Sequence, residues 1–455
     1  MAELLVSLRR DDGAPLHAQL EQELRAAVRS RRLKPGAAMP STRALAAQLG
    51  VSRGVVVEAY EQLAAEGYLA PRAGGVTRVA PQAVASAAQA TRAMEPPRPR
   101  IDFRPGRPDV SEFPRAAWLR SLRRALNEAP AERFSYWDGS GLPELREALA
   151  AYLNRVRGAC ADAERMVISN GFSQGLALVC AALRSSGARR VAVEDPAHQG
   201  SVATIRSAGL SPVGVPVDDD GLRVELLRET RVDAVLVTPA HQYPTGAVLP
   251  PHRRAGLVEW ARRRGALIIE DDYDAEYRYD REPIGAIHGL APDRVVYAGS
   301  ASKTLAPGLR LGWLVVPGHL ARAVADAKSA ADGGSPALEQ LAFADFVVRG
   351  ELDRHLRRMR PIYRRRRDAL LAALGAYLPH LRPTGSAAGL HVLAWLPPGI
   401  DEASLLRLAA ERSVGIYGLA PHRLAPSDAG GLIFGYGTLS EGAITEGVRL
   451  LGSGA

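Results

Sequence analysis

Lys303 is the residue whose chemistry the rest of this chain could least easily supply. Of 58 lysines and arginines only three are lysines: Lys34, Lys303 and Lys328. A chain that writes arginine wherever any cation suffices keeps lysine where a primary amine is needed. Lys303 stands in Gly299-Ser-Ala-Ser-Lys-Thr304, directly after the apolar run Arg294-Val-Val-Tyr-Ala-Gly299. A Lys-Thr pair after small residues suggests a phosphate loop, but that motif needs glycine at 297 and 302, where the chain has Tyr297 and Ser302. Two readings remain, a surface cation and an amine that captures an aldehyde as a Schiff base, which arginine cannot do; the scarcity of lysine and the phosphate-binding residues nearby favour the second. Pyridoxal phosphate asks for such an amine, for a carboxylate against its ring nitrogen, and for hydroxyls, amides and a cation around its phosphate. Asp271 ends the run Ala266-Leu-Ile-Ile-Glu-Asp271, Ser300 and Ser302 flank the lysine, and Arg310 follows. Asn170-Gly-Phe172-Ser173-Gln174 opens an apolar helix, whose N-terminus is suited to an anion.

These groups need elements to hold them. Arg190-Val-Ala-Val-Glu-Asp195, Ala234-Val-Leu-Val-Thr238, the run ending at Asp271 and the run ending at Gly299 are short, apolar and polar at their C-terminal ends. Buried parallel strands look like this, and α/β proteins place chemistry at those ends. Residues 101–455 are therefore expected to form an α/β domain. Residues 81–100, rich in Ala, Gln, Pro and Arg without apolar periodicity, read as a linker.

Residues 1–80 form a smaller unit. Leu20, Leu24, Ala27 and Val28 share one face of a helix that stops before Pro35-Gly36. Ser41 begins a second helix with Leu45, Ala46 and Leu49 as its apolar face, and Gly50 ends it. Ser52 is placed to cap a third, with Val55, Val56, Ala59, Tyr60 and Leu63 inward and Gly67 at its close. A hairpin around Gly74-Gly75 follows. Two short helices joined by a glycine turn suit a helix-turn-helix, with Ser52, Arg53 and Gly54 opening the recognition helix. Arg43 lies within reach of phosphate or a base edge, and Arg72, Thr77 and Arg78 lie on the wing.

The whole-chain properties agree. The 455 residues are 47% hydrophobic and 24% charged, which excludes a disordered tail, a collagen and a disulfide scaffold. A net charge of +9 permits a polyanionic partner. Residues 1–80 carry 11 basic and 8 acidic residues, the linker three arginines against one glutamate, and the remainder the other +4. Two cysteines, no long apolar run and no signal-peptide pattern lead us to expect a cytoplasmic protein, associated with the nucleoid when bound to DNA, with no membrane and no metal.

Residues 15–79 resemble the DNA-binding domain of the GntR family of bacterial regulators. The matching runs are Pro15-Leu16, Leu33-Lys-Pro-Gly36, Met39-Pro-Ser-Thr-Arg43, Leu49-Gly-Val-Ser-Arg53 and Ala59-Tyr-Glu-Gln-Leu-Ala-Ala-Glu-Gly-Tyr-Leu69. The resemblance implies DNA contacts from Arg43, Ser52, Arg53 and Gly54. Residues from about 101 to 450 resemble fold-type I aminotransferases, through Asp102–Asp109, Tyr136–Arg146, Glu194-Asp-Pro196, Pro244-Thr-Gly246, Ile269–Tyr273, Ser300–Lys303 and Pro307–Gly312. This implies a mostly parallel sheet with helices on both faces and a small C-terminal α+β subdomain. By position Lys303 would be the Schiff-base lysine (an internal aldimine) and Asp271 the pyridine partner. Tyr273 would meet the ring hydroxyl, while Ser173, Ser300, Arg310 and the Phe172 amide would hold the phosphate. Tyr136 would reach the partner subunit's cofactor in a homodimer. The fusion resembles the MocR subfamily.

Three positions depart from the aminotransferase pattern. The ring-stacking residue, usually aromatic, is His198; the asparagine before Pro-Thr-Gly is Tyr243; and the C-terminal arginine that grips a substrate carboxylate is absent, with Ile433 near its place. Loss of that fork favours a sensor of pyridoxal phosphate, like the PdxR-type branch, that binds operator DNA and controls genes of vitamin B6 synthesis or salvage. Two alternatives stay open: a regulator answering to an amine or amino acid that condenses with bound cofactor, and an active aminotransferase with a DNA-binding appendage. Lys328 reads as a surface cation.

Overall fold

The computed structural model describes residues 8–9, 13–71, 76–81, 99–137, 139–279, 284–385 and 387–452. The chain divides into two compact units, Met1–Pro96 and Pro97–Ala455.

The first unit packs helices Leu16–Arg29, Thr42–Leu49 and Arg53–Ala65 around Leu20, Leu24, Leu45, Val56, Ala59 and Leu63. The sequence faces of the first two helices are buried as read, with Leu49 at the margin, and Val55 of the third is half-buried. Ser41 caps the second helix, its hydroxyl accepting the Ala44 N–H at 3.2 Å, and Gly50 ends it in the left-handed region (φ 64°). Ser52 stands at the N-cap of the third helix, but its hydroxyl accepts no capping hydrogen bond, which corrects its expected role as a cap. Strands Leu69–Ala70 and Arg78–Val79 pair antiparallel as the stem of the wing. The turn at Gly74-Gly75 lies outside the described residues, as does Arg72.

The second unit is built on an eight-stranded sheet. Its middle strands are Val295–Ser300, Leu267–Asp271, Ala234–Val237, Arg190–Asp195 and Ser211–Asp218, side by side and parallel. Four of them are the apolar runs singled out in the sequence. Gly312–Val315 and Met166–Ser169 extend one edge antiparallel, and Gly221–Leu222 closes the other.

Side chains alternate along each strand. Val191, Val193, Leu236, Ile269, Val296 and Ala298 pack on one face against Leu176 and Val179 of helix Phe172–Ser185 and Val324 of helix Gly318–Asp332. Ala192, Val235, Val237, Ile268 and Val295 pack on the other, against Leu257 and Ala261 of helix Pro251–Arg264. Continuing the count, Asp271 and Ser300 emerge on the first face, the side of helix Phe172–Ser185. Glu270 and Asp272 emerge on the second. Towards the C-terminus, strands Arg382–Thr384, His391–Trp395, Gly431–Gly435 and Tyr417–Gly418 form an antiparallel sheet with helices Glu402–Glu411 and Glu441–Gly452, the expected small subdomain. No described helix is long and apolar enough to cross a membrane.

Asp272 is fully buried and is held by Arg157, the last residue of helix Pro143–Arg157, through two hydrogen bonds of 2.7 and 2.9 Å. The Tyr297 hydroxyl donates a third, at 2.6 Å. Removing one partner of a buried pair strands the other charge, which costs about 3–5 kcal/mol. Arg157→Leu should therefore destabilise the second unit by about that amount in denaturant unfolding. Arg157→Leu combined with Asp272→Leu should recover much of the loss.

Candidate functional site

A cavity of about 310 Å³ opens at the C-terminal ends of the parallel strands. Phe172, Ser173, His198, Asp271, Tyr273, Ser300, Ser302, Lys303 and Arg310 all line it. They come from separated segments and meet because the strand ends converge there. Tyr136 does not: it lies wholly exposed on the surface of this chain.

Lys303 sits in the short helix Ala301–Thr304 that follows the strand end at Ser300, and its amine donates to the Gly106 carbonyl. Burial pulls its pKa below the ordinary lysine range, against the opposing pull of Asp274 and Asp271. Asp271 keeps some surface towards the cavity, yet protein surrounds its carboxyl. Burial pushes the Asp271 pKa well up, Asp272 adds to this and Lys303 opposes it. Among the described residues its carboxylate has no hydrogen-bond or ion-pair partner. A half-enclosed acid without a donor, facing a cavity, suits a protonated ring nitrogen.

One end of the cavity is shaped by helix Phe172–Ser185. Gly171 precedes it at φ 86°, and a Cβ there would meet the Arg310 guanidinium at 3.0 Å, so glycine serves both conformation and approach. Arg310 itself is left-handed (φ 52°) and donates to the Asn170 carbonyl, which fixes its guanidinium beside the helix N-terminus. Backbone N–H groups, the Ser173 and Ser300 hydroxyls and a fixed guanidinium form a fitting anion seat.

Tyr273 is supported from behind. Its hydroxyl and Asp274 Oδ2 each lie 3.0 Å from His241 Nδ1. A carboxylate only accepts, so Nδ1 carries the hydrogen, and the Tyr273 proton is left free to point into the cavity. His391 adds a further ring to the wall, its Nε2 3.2 Å from the Pro244 carbonyl. Ligand atoms of His241, Asp274 and His391 lie within 4.8 Å of one another. The sequence reading missed Asp274, His391 and Gly106. Asp274 closes the acidic run that begins at Glu270 and was legible there, while His391 arrives from a strand with no local signal.

The departures find physical explanations. Ile433 is fully buried with Leu393 and Leu419, away from the cavity. Arg423 stacks over Trp395 and donates to the Ala429 carbonyl at 2.8 Å, so it does not replace the missing fork. His198 caps helix Gln199–Ser207, with Nδ1 accepting the Ser201 N–H at 3.3 Å and its ring edge-on to Tyr243.

On the first unit, Arg43, Ser52, Arg53 and Gly54 are all exposed. Arg53 Nε lies 3.4 Å from Thr42 Oγ1, which brings the start of the recognition helix beside the helix that carries Arg43. Thr77 is half-buried, and Arg78 donates to the Gly36 carbonyl at 2.9 Å, bracing the turn at the base of the wing.

Burial, the nearby His422 and Lys303 hold the His198 pKa below 6.5. Its ring should be neutral at pH 7, with the proton on Nε2, and its contribution to stability should be complete above pH 6.5 and fall as pH drops through the folded value. NMR titration of His198 with a midpoint below 6.5 is the expected result.

Comparison with known proteins gives the same division. Residues 16–79 match bacterial regulatory proteins of the gntR family, and residues 107–421 match aminotransferase class I and II. The chain is 33% identical to the probable rhizopine catabolism regulatory protein MocR of Rhizobium meliloti, over 99% of this chain and 95% of that one. It is 34% identical to the pyridoxine biosynthesis transcriptional regulator PdxR of Corynebacterium glutamicum, over 97% and 96%. Among solved structures it resembles an archaeal alanine:glyoxylate aminotransferase (TM-score 0.71, 30% identity, 77% of this chain and 89% of that one). It also resembles the α-aminoadipate aminotransferase LysN of Thermus thermophilus, solved with N-(5'-phosphopyridoxyl)-L-leucine (TM-score 0.70, 28% identity, 77% and 91%). Such a domain is a pyridoxal phosphate fold, and the cavity residues fit that group. The chain is a transcriptional regulator of the MocR subfamily of the GntR family, a winged helix-turn-helix fused to an aminotransferase-like domain.

Proposed function

We propose that this regulator senses pyridoxal phosphate itself, anchored by Lys303, and through it controls genes of vitamin B6 synthesis or salvage. The observation that carries the reading is the composition of the cavity wall. Among the described residues lining it, Arg310 is the only arginine, and that guanidinium is committed beside the phosphate seat. A transaminase needs a second fork for the substrate carboxylate; a protein that only captures the cofactor does not.

In this reading Lys303 would be the amine that holds the cofactor's aldehyde carbon, and Asp271 would keep the ring nitrogen protonated. Tyr273 would hydrogen-bond the ring oxygen and His198 would flank the ring. Ser173, the Phe172 amide, Ser300, Ser302 and Arg310 would hold the phosphate. When bound, pyridoxal phosphate supplies an electron-withdrawing ring conjugated to its carbonyl carbon. Tyr136, exposed on its own chain, would complete the site of a second chain in a homodimer. The functional division would be 1–80 for operator DNA, 81–100 as linker and 101–455 for the cofactor, with the protein acting in the cytoplasm on the nucleoid. Arg43, Ser52, Arg53, Gly54 and Thr77 would face DNA, with Arg72 and Arg78 on the wing. Binding shifts regulation only if the two arrangements of the dimer differ in cofactor affinity.

Likeness to the rhizopine catabolism regulator favours a second reading, in which an amine condensing with bound cofactor is the effector. Spectral change on adding amines, together with altered DNA binding, would select it.

The test is the visible spectrum of the purified protein with pyridoxal phosphate and its affinity for its own upstream DNA with and without that compound. We expect a cofactor band that is lost in Lys303→Ala, with the fold kept, and a DNA affinity that changes with the cofactor. Indifference of DNA binding to the cofactor would refute the sensor. Arg53→Ala should weaken specific DNA binding by about 1–3 kcal/mol in a band-shift titration.

A further inference from the structure

Lys328 is the lysine the sequence reading took for a surface cation. The structure corrects this: its side chain is 0% exposed, inside helix Gly318–Asp332. Its ammonium donates to Gln174 Oε1 at 3.0 Å, Asp332 Oδ2 at 2.6 Å and Ser335 Oγ at 2.9 Å. Three acceptors use its three N–H groups, a tetrahedral demand that the planar guanidinium of arginine does not meet.

Each acceptor holds part of the anion seat. Gln174 Oε1 also accepts the Asn170 N–H at 2.7 Å, and Asp332 Oδ2 accepts from Asn170 Nδ2 at 3.0 Å and Gln174 Nε2 at 2.6 Å. Ser335 Oγ lies 2.8 Å from Asn170 Oδ1. Asn170 thus has its amide, its side-chain nitrogen and its side-chain oxygen fixed by one hub, and its carbonyl is the group that holds Arg310. The loop carrying Tyr136 rests on the same helix end: a Cβ at Gly139 would meet Ser329 Cα at 3.1 Å, and one at Gly334 would meet the Trp137 ring at 3.0 Å.

We propose that Lys328 is a positioning residue for anion recognition, which sets the Asn170–Ser173 turn and, through the Asn170 carbonyl, the Arg310 guanidinium at the phosphate seat. This rests on the assignment of the cavity to pyridoxal phosphate. Burial pulls the Lys328 pKa down, and its hydrogen bond to Asp332 opposes that pull. Without that ammonium the Gln174 and Ser335 acceptors lose a donor and the Asp332 carboxylate loses its cation. The turn then has several arrangements in place of one.

The experiment measures dissociation constants of the full chain for pyridoxal phosphate and for pyridoxal, which lacks the phosphate, together with thermal unfolding without ligand. Wild type should prefer the phosphorylated compound. In Lys328→Met the preference should shrink roughly tenfold or more, through weaker binding of pyridoxal phosphate, with pyridoxal nearly unchanged; Lys328→Arg should not restore it. Asp332→Asn removes the hub's carboxylate at a partly exposed position and should shrink the preference in the same direction, which covers the case of a Met variant that fails to fold. A lowered melting temperature with an unchanged preference in these variants would mean that the hub serves only stability, and would overturn the proposal. Wild type without any preference would overturn the assignment of the phosphate seat and the proposal with it.

Discussion

Three consecutive carboxylates, Glu270, Asp271 and Asp272, stand at the end of one central parallel strand; the protein buries the outer two and half-encloses the middle one. Charge removed from water needs compensation close by, and the strand's alternation decides where it must come from. On one face Asp272 takes the Arg157 fork and the Tyr297 hydroxyl, while Glu270 accepts the main-chain N–H groups of Ile287 and His288 at 2.8 and 2.9 Å. Burial still pushes the Glu270 pKa up to about 7, with Asp272 adding to it. On the other face Asp271 is left without a donor. The outer two acids are satisfied from within the fold, so the middle one remains for chemistry. Helix Pro143–Arg157 is thus tied to the site although it never touches the cavity.

The same economy of charge separates the two units. On the winged helix Arg43, Arg53 and Arg78 are exposed, and they touch the fold through single contacts or none that constrain them tightly. In the second unit Arg157 and Lys328 are wholly buried and held by carboxylates, Asp272 and Asp332. Exposed arginines suit a polyanion whose contacts are exchanged for counterions, whereas buried ones fix geometry.

What was legible in the sequence was local. Short apolar runs ending in polar residues gave the four parallel strands, because burial on both faces leaves that pattern whatever the neighbours are. Lys303 and Asp271 stood at the ends of such runs. Where the reading failed, the decisive partner lay far along the chain or the local choice had two outcomes. Lys328 looked solvated because Gln174, which receives its amine, is 154 residues away. His391 joins the wall from a strand of the small subdomain, and nothing around it in sequence announces a ligand. Ser52 has the residue type and backbone of a cap, and only the geometry shows that its hydroxyl accepts nothing.

The contact between the Lys303 amine and the Gly106 carbonyl bears on how readily the site can empty. That nitrogen is already engaged, so any ligand that bonds to it exchanges one partner for another. The exchange therefore weakens capture, relative to an idle amine, by what the hydrogen bond to the Gly106 carbonyl contributes. For the sensor proposed above this would be useful. A grip that never loosened would record only that the ligand had once been present, whereas a competing carbonyl at residue 106 would let occupancy fall again when the supply does.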